Sequence, residues 1–238
     1  MKKLIIKYSI EFFVIVFSIS MSFYLEDYRQ KLELKSLSSD LKKNLLNEVS
    51  QIEKYMEERE IAFKGDQKLI RSLQKGDISV DSLYKLQSKP ILYGAALFNY
   101  RGFMPPVAFY NSLVNDGKIR YLESSKLKTE LDLMHNVHYS YVKSNVEDEA
   151  IAQRKIMDYF QEKYPKIFME SGSTIPNKDY VIRIKGIIDS DLTLRSILYQ
   201  KIIAIEQKVV GFDRYNESLK KLKGILQKDE ELKTINLK

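Results

Sequence analysis

The sequence predicts an all-α protein: an N-terminal transmembrane helix that continues into an extracytoplasmic bundle of long helices with an irregular, aromatic-rich middle segment. Three observations carry this. Apolar residues recur at intervals of three and four over most of the 238 residues. Only nine glycines and five prolines punctuate the chain, too few turn formers for a sandwich or barrel of many short strands. The stretch KYSIEFFVIVFSISMSFYLEDYRQ, residues 7–30, passes from an apolar run into charged helix with no turn signal between. At 44% hydrophobic residues the chain can bury a core, which excludes a disordered polymer.

The apolar run sets the domain organisation. Phe12 to Leu25 carries no charge, and starting from Tyr8 the run reaches 18 residues, about 27 Å of helix and close to the hydrocarbon thickness of a bilayer. Lys2, Lys3 and Lys7 precede it, whereas Glu26 and Asp27 offset Arg29 and Lys31 behind it. The positive-inside bias thus places residues 1–7 in the cytoplasm, 8–25 in the membrane and 26–238 outside. Two other readings compete. A cleavable signal peptide would use Ser18 and Ser20 near its cleavage site, but Glu11 interrupts its apolar region and no linker follows. A buried core helix would show an amphipathic stripe, whereas this run is apolar on nearly all sides.

Within the run, Glu11, Ser18 and Ser22 stand seven and four residues apart and form a polar seam along one side. Ser18 and Ser22 are a small-xxx-small pair that lets a second helix approach. Glu11 either sits at headgroup depth one turn from Lys7, or meets a basic or proton-carrying group of a partner.

Beyond the membrane, Leu37, Leu41, Leu45, Val49, Ile52 and Met56 form an apolar stripe on a helix that continues unbroken to about Leu73, before the stop at Gly76. Ser79 or Asp81 caps a short helix that ends near Ser88, ahead of Pro90. Residues 90–132 are the least regular and the richest in aromatics. Pro105 and Pro106 suit the first turn of a helix with Phe109, Leu113 and Val114 on its buried side, stopping at Asn115–Gly117. Ser124 or Ser125 caps a long helix with the stripe Leu127, Leu131, Met134, His138 and Tyr141, continuing through Ile156, Tyr159 and Phe160 to Pro165 and bending near residues 144–150. YVIRI, residues 180–184, alternates like a strand but has no pairing partner, so a loop or extended edge is expected there. A last helix starts at Asp189–Asp191 and carries Leu194, Leu198, Ile202, Ile205, Val209 and Phe212.

Glu11 at the head of the run, EDYR at Glu26–Arg29, and PPVAFYNSLVNDGKIRYLESSKLKTEL at Pro105–Leu131 together resemble a widespread group of uncharacterised bacterial proteins with one N-terminal span and a helical remainder. The resemblance covers about the first 165 residues. It departs at Tyr28, where the group often has Trp, and this chain has none. It implies an envelope protein and brings no catalytic residues with it.

The formal charge of +7 is dispersed among acidic residues along the whole chain, and Lys220, Lys221 and Lys223 stand beside Glu217 as a solvated helix face, so no nucleic-acid partner is expected. Absence of Cys excludes disulfides and thiolate metal sites. There is no Gly-rich phosphate loop and no nucleophile elbow. His135 and His138 lie three apart on one helix, with Glu130, Asp132 or Glu147 as conceivable carboxylate partners. Zinc needs three or four converging ligands, so the expectation is one buried His, one at the rim, and no metal or cofactor. The 16 tyrosines suit the edges of a helical core.

These observations point to a non-enzymatic, single-pass scaffold or accessory interaction protein of the bacterial inner membrane. Its partners are the lipid bilayer and either a second copy or another envelope protein. Its partner-binding surface is expected at Phe98, Tyr100, Phe103, Phe109 and Tyr110. The alternative is a ligand-sensing bundle with a pocket of Tyr93, Phe98, Tyr100 and Phe103, which would need a partner subunit because only about seven residues precede the span.

Overall fold

Helix α1 (Lys2–Lys75) runs without a break through the apolar N-terminal run and the charged stretch behind it. The computed structural model describes residues 2–87, 97–170 and 178–235, and the side chains of 11–85, 97–170 and 178–228. From Glu11 to Ser36 every side chain of α1 is exposed, Phe12, Phe13, Phe17 and Phe23 among them. Burial begins at Leu37, and Leu41, Leu45, Val49, Ile52 and Met56 are all in the core. The N-terminal run is therefore not a core helix of this bundle. Among the described residues no helix is long and apolar enough to cross a membrane. The side chains of Tyr8, Ser9 and Ile10, which the 18-residue run from Tyr8 to Leu25 requires, lie outside the described ones.

α1 stops at Gly76, which takes a left-handed φ of 75°. Its N–H and that of Asp77 return to the carbonyls of Leu73 and Ser72, and Arg195 donates to the Gln74 carbonyl, so the last turn has partners. α2 (Val80–Gln87) is opened by Ser79, whose hydroxyl accepts the Ser82 N–H at 3.1 Å. The expected stop before Pro90 lies outside the described residues. Next come α3 (Ala108–Asn115), a 3₁₀ turn at Lys118–Tyr121, and α4 (Ser125–Asp132), with Ser124 capping α4 through the Leu127 N–H. A π-helical turn, Leu133–His138, joins α4 to α5 (Tyr139–Lys163). α6 (Pro165–Glu170), α7 (Lys178–Ser190) and α8 (Leu192–Ile235) complete the chain. Among the described residues there is no strand, and the protein is all-α.

α8 is the central helix, with α1 along one side and α5 along the other. Both neighbours run antiparallel to it. On the α1 side Glu53 meets Lys223 at 2.6 Å, Lys64 approaches Asp213 at 4.0 Å and Arg71 pairs with Glu206. On the α5 side Lys155 donates to Gln200 at 3.1 Å and Lys208 pairs with Glu149. Gly211 permits close approach there: a Cβ on it would lie 2.5 Å from the Tyr141 ring. The α3–α4 region covers the inner face of this layer, and α7 closes the end against α1, α2 and α8.

Four expectations are corrected. YVIRI is part of α7, not a loop or edge strand: five alternating residues are too few to fix a period, and over the whole helix Val181, Ile184 and Ile188 recur at helical spacing and are buried. Residues 144–150 lie inside unbroken α5, and the irregular turn falls earlier, at 133–138. That π turn takes up an extra residue and rotates the buried face, so His135 and Val142 replace His138 and Tyr141 on it. Pro105 and Pro106 precede α3 instead of forming its first turn, and its cap comes from another helix.

Candidate functional site

Along α8 the positions that are 0–1% exposed follow a strict alternation of four and three: Leu194, Leu198, Lys201, Ile205, Lys208, Phe212, Tyr215, Leu219. Two of them are lysines, and both are fully buried. The facing stripe of α5 places Glu149 and Gln153 between Val146 and Ile156, and α1 places Asp66 between Phe63 and Ile70. These polar side chains converge beneath residues 97–101 of the irregular segment. The Lys201 ammonium donates to the carbonyls of Leu97 and Asn99 at 3.3 and 2.7 Å. Gln153 donates to the Phe98 carbonyl at 2.6 Å, and Arg101 pairs with Asp66 at 2.6 Å. Lys208 pairs with Glu149 and lies 4.2 Å from the centre of the Phe63 ring.

The arrangement solves a backbone problem. Carbonyls in an irregular buried segment have no helical ladder to satisfy them, and leaving them bare costs as much as a lost hydrogen bond. Lys201 and Gln153 supply donors to the carbonyls of residues 97, 98 and 99. Burial pulls the Lys201 pKa down to about 8, against the pull of Glu149 and Asp66, and burial likewise raises Asp66 against Arg101. Among the described residues one carboxylate oxygen of Glu149, Oε1, has no hydrogen-bond partner.

A second anchor holds the segment further along. Val107, at the N-cap of α3, makes no side-chain cap, and buried Glu48 of α1 takes that role across the bundle by accepting the N–H groups of Phe109 and Tyr110 at 2.5 and 3.0 Å. Burial raises the Glu48 pKa and those two donors oppose it. The Tyr55 hydroxyl accepts the Met104 N–H at 2.7 Å.

The five aromatics expected at a partner surface divide unequally. Phe103 is 4% exposed and lies within ring distance of Tyr55, Tyr139, Phe212 and Tyr215. Tyr110 is buried and stacks on His135 with ring centres 3.7 Å apart. Phe98 and Phe109 are half-buried against the core, Phe98 edge-on to Phe160 at 5.2 Å. Only Tyr100, at 41%, is exposed. The segment thus faces inward, and most of its aromatic surface is core. A groove of about 600 Å³ opens between the end of α1 and α2, bordered by Lys68, Leu69, Ser72, Ile78, Ser82 and Lys85. Phe98, Tyr100 and Phe103 do not border it, and Tyr93 lies outside the described residues.

His135 is buried and His138 half-exposed at the rim. Among the described residues no three His, Cys, Asp or Glu side chains converge as metal ligands. Burial lowers the His135 pKa to about 4 from an ordinary 6.5, so the unfolded chain binds more protons between those values. This group therefore costs stability as pH falls from 6.5 towards 4 and nothing above 6.5. His135→Phe, which keeps a ring on Tyr110, is expected to flatten the loss across that window in pH-dependent unfolding followed by circular dichroism.

On α1, Glu11, Ser18 and Ser22 are exposed. Ser18 donates to the Val14 carbonyl at 2.7 Å and Ser22 to the Ser18 carbonyl at 2.8 Å. Sequence reasoning missed Glu48, Asp66, Glu149, Lys201 and Lys208. The signal was present as charged residues standing at core positions of the four-three repeat.

No family model matches the chain, and no curated protein or solved structure matches it either.

Proposed function

We propose that this chain is a single-pass protein of the bacterial inner membrane, with residues 8–25 of α1 as the span, the N-terminus inside, and the helical bundle outside as a non-catalytic scaffold or interaction module. One observation carries the reading. α1 extends from the bundle as one helix whose residues 11–25 expose large apolar side chains on every side. An all-round apolar helix belongs in a core or a bilayer, and the described bundle does not cover this one. The Ser18 and Ser22 hydroxyls return to carbonyls of their own helix, which suits a setting without water. Lys2, Lys3 and Lys7 supply the inside charge.

Residues 26–36 then form an exposed stalk of roughly 16 Å. It is supported by its own ion pairs, with Arg29 on Glu26 and Glu33 at 2.9 and 2.8 Å and Lys31 on Asp27 at 2.7 Å. The resemblance through Glu11 and EDYR agrees with an envelope location. The partners in this reading are the bilayer and a second copy or another envelope protein.

Membrane fractionation of a C-terminally tagged chain tests it. The expected result is uncut protein that resists carbonate extraction and is released by detergent. A soluble product that has lost its first twenty or so residues, the length of a signal peptide, would replace the anchor with a secreted bundle.

A further inference from the structure

We propose that the outer face of α5 and α8 is a two-fold interface between two copies of this chain. The inner face of the α1–α8–α5 layer is covered by the α3–α4 region. On the opposite face α8 presents Tyr199, Ile203 and Val210, at 55, 44 and 42% exposure, beside Ile151 of α5 at 44%. Single exposed apolar residues are ordinary, but Tyr199, Ile203 and Val210 stand four and seven residues apart on one face of α8, and Ile203 and Ile151 border one depression. Between the helices lies a depression of about 440 Å³ bordered by Ala152 and Ala204, both buried, and by Ile151 and Ile203. Knob and hole thus lie side by side on one surface.

The polar groups around the depression select the occupant. Along α5 the order is Asn145, Asp148, Ile151, Ala152, Lys155, and along antiparallel α8 it is Gln200, Ile203, Ala204, Gln207. From Asp148 to Lys155 and from Gln200 to Gln207 each series is its own complement in reverse, acid facing base, glutamine facing glutamine and isoleucine facing alanine. A two-fold axis lying in the interface and crossing α5 between Ile151 and Ala152 and α8 between Ile203 and Ala204 lays α5 antiparallel on its copy and α8 antiparallel on its copy. Asp148 then meets Lys155 of the other copy twice, Gln200 meets Gln207, and each isoleucine sits over the other copy's alanine. A partner of unrelated sequence has no reason to match this order.

The inference deepens the self-association in the proposed function, and its test is read from mass instead of membrane retention, so the two fail separately. The chain has no Cys, so Ile151→Cys in the full-length protein in its own membranes reports one contact. Mild oxidation is expected to give a band at twice the chain mass, well above that from Met169→Cys, an exposed control on α6. In that background Asp148→Lys and Lys155→Asp each lower the band several-fold and the double exchange restores it. A band no stronger than the control, a product of any other mass, or charge exchanges without effect would overturn the proposal.

Discussion

Lys208→Met is expected to lower unfolding stability by about 3–5 kcal/mol, the usual cost of removing one member of a buried ion pair. Both Lys208 and Glu149 are completely inaccessible to solvent. Among the described residues Glu149 already leaves one oxygen without a partner, so deleting the ammonium leaves a buried carboxylate without its ion-pair partner, and the attraction of Lys208 for the Phe63 ring is lost with it. Adding Glu149→Leu removes the stranded charge as well. The double variant is expected to recover most of the loss, because pairs sharing one contact are strongly non-additive. Urea unfolding of the detergent-solubilised chain, followed by circular dichroism since it has no Trp, checks both. Losses that simply add would mean that the pair is not what couples α5 to α8.

Phe103→Ala should cost a similar amount, about 3–5 kcal/mol for a buried phenylalanine ring. Its ring stands between α1, α5 and α8 through Tyr55, Tyr139, Phe212 and Tyr215, and α3 follows only a few residues later. The loss is expected to appear as faster hydrogen exchange across residues 97–115 together with a lower urea midpoint. Tyr100→Ala, at an exposed neighbour, should change stability by no more than about 0.5 kcal/mol. Equal effects at the two positions would contradict the inward orientation of the segment.

The long helices were legible because their signal is local. Leu41 to Met56 and Leu194 to Phe212 keep one period over many turns, and these residues are buried as that period implies. Ser79 or Asp81 and Ser124 or Ser125 announced two helix starts, of which Ser79 and Ser124 are the caps, and Gly76 and Asn115–Gly117 announced two stops, because capping hydroxyls and left-handed glycines act within four residues. The middle segment was not legible. Its aromatics carry no period, and what turns Phe103 and Tyr110 inward is chemistry from distant helices: Glu48 on the α3 amides, Lys201 and Gln153 on the carbonyls of residues 97–99, and Asp66 on Arg101. Those partners lie far apart along the chain and meet only once α1, α5 and α8 are in register. Lys201 and Lys208 could have been noticed as charges seven apart inside an apolar repeat, a pattern that marks register-setting polar groups in helical bundles. The strand-like reading of YVIRI failed for the opposite reason, a window shorter than the helix that contains it.

The most direct test of the account uses the absence of cysteine. A single cysteine is placed at Met169 or Leu192, both highly exposed on the bundle, and intact cells are treated with a maleimide that cannot cross the inner membrane. Labelling of full-length, membrane-retained protein before lysis, with no increase after it, is the result predicted for a bundle anchored outside by α1. Labelling only after lysis, with the protein in the soluble fraction, would contradict it.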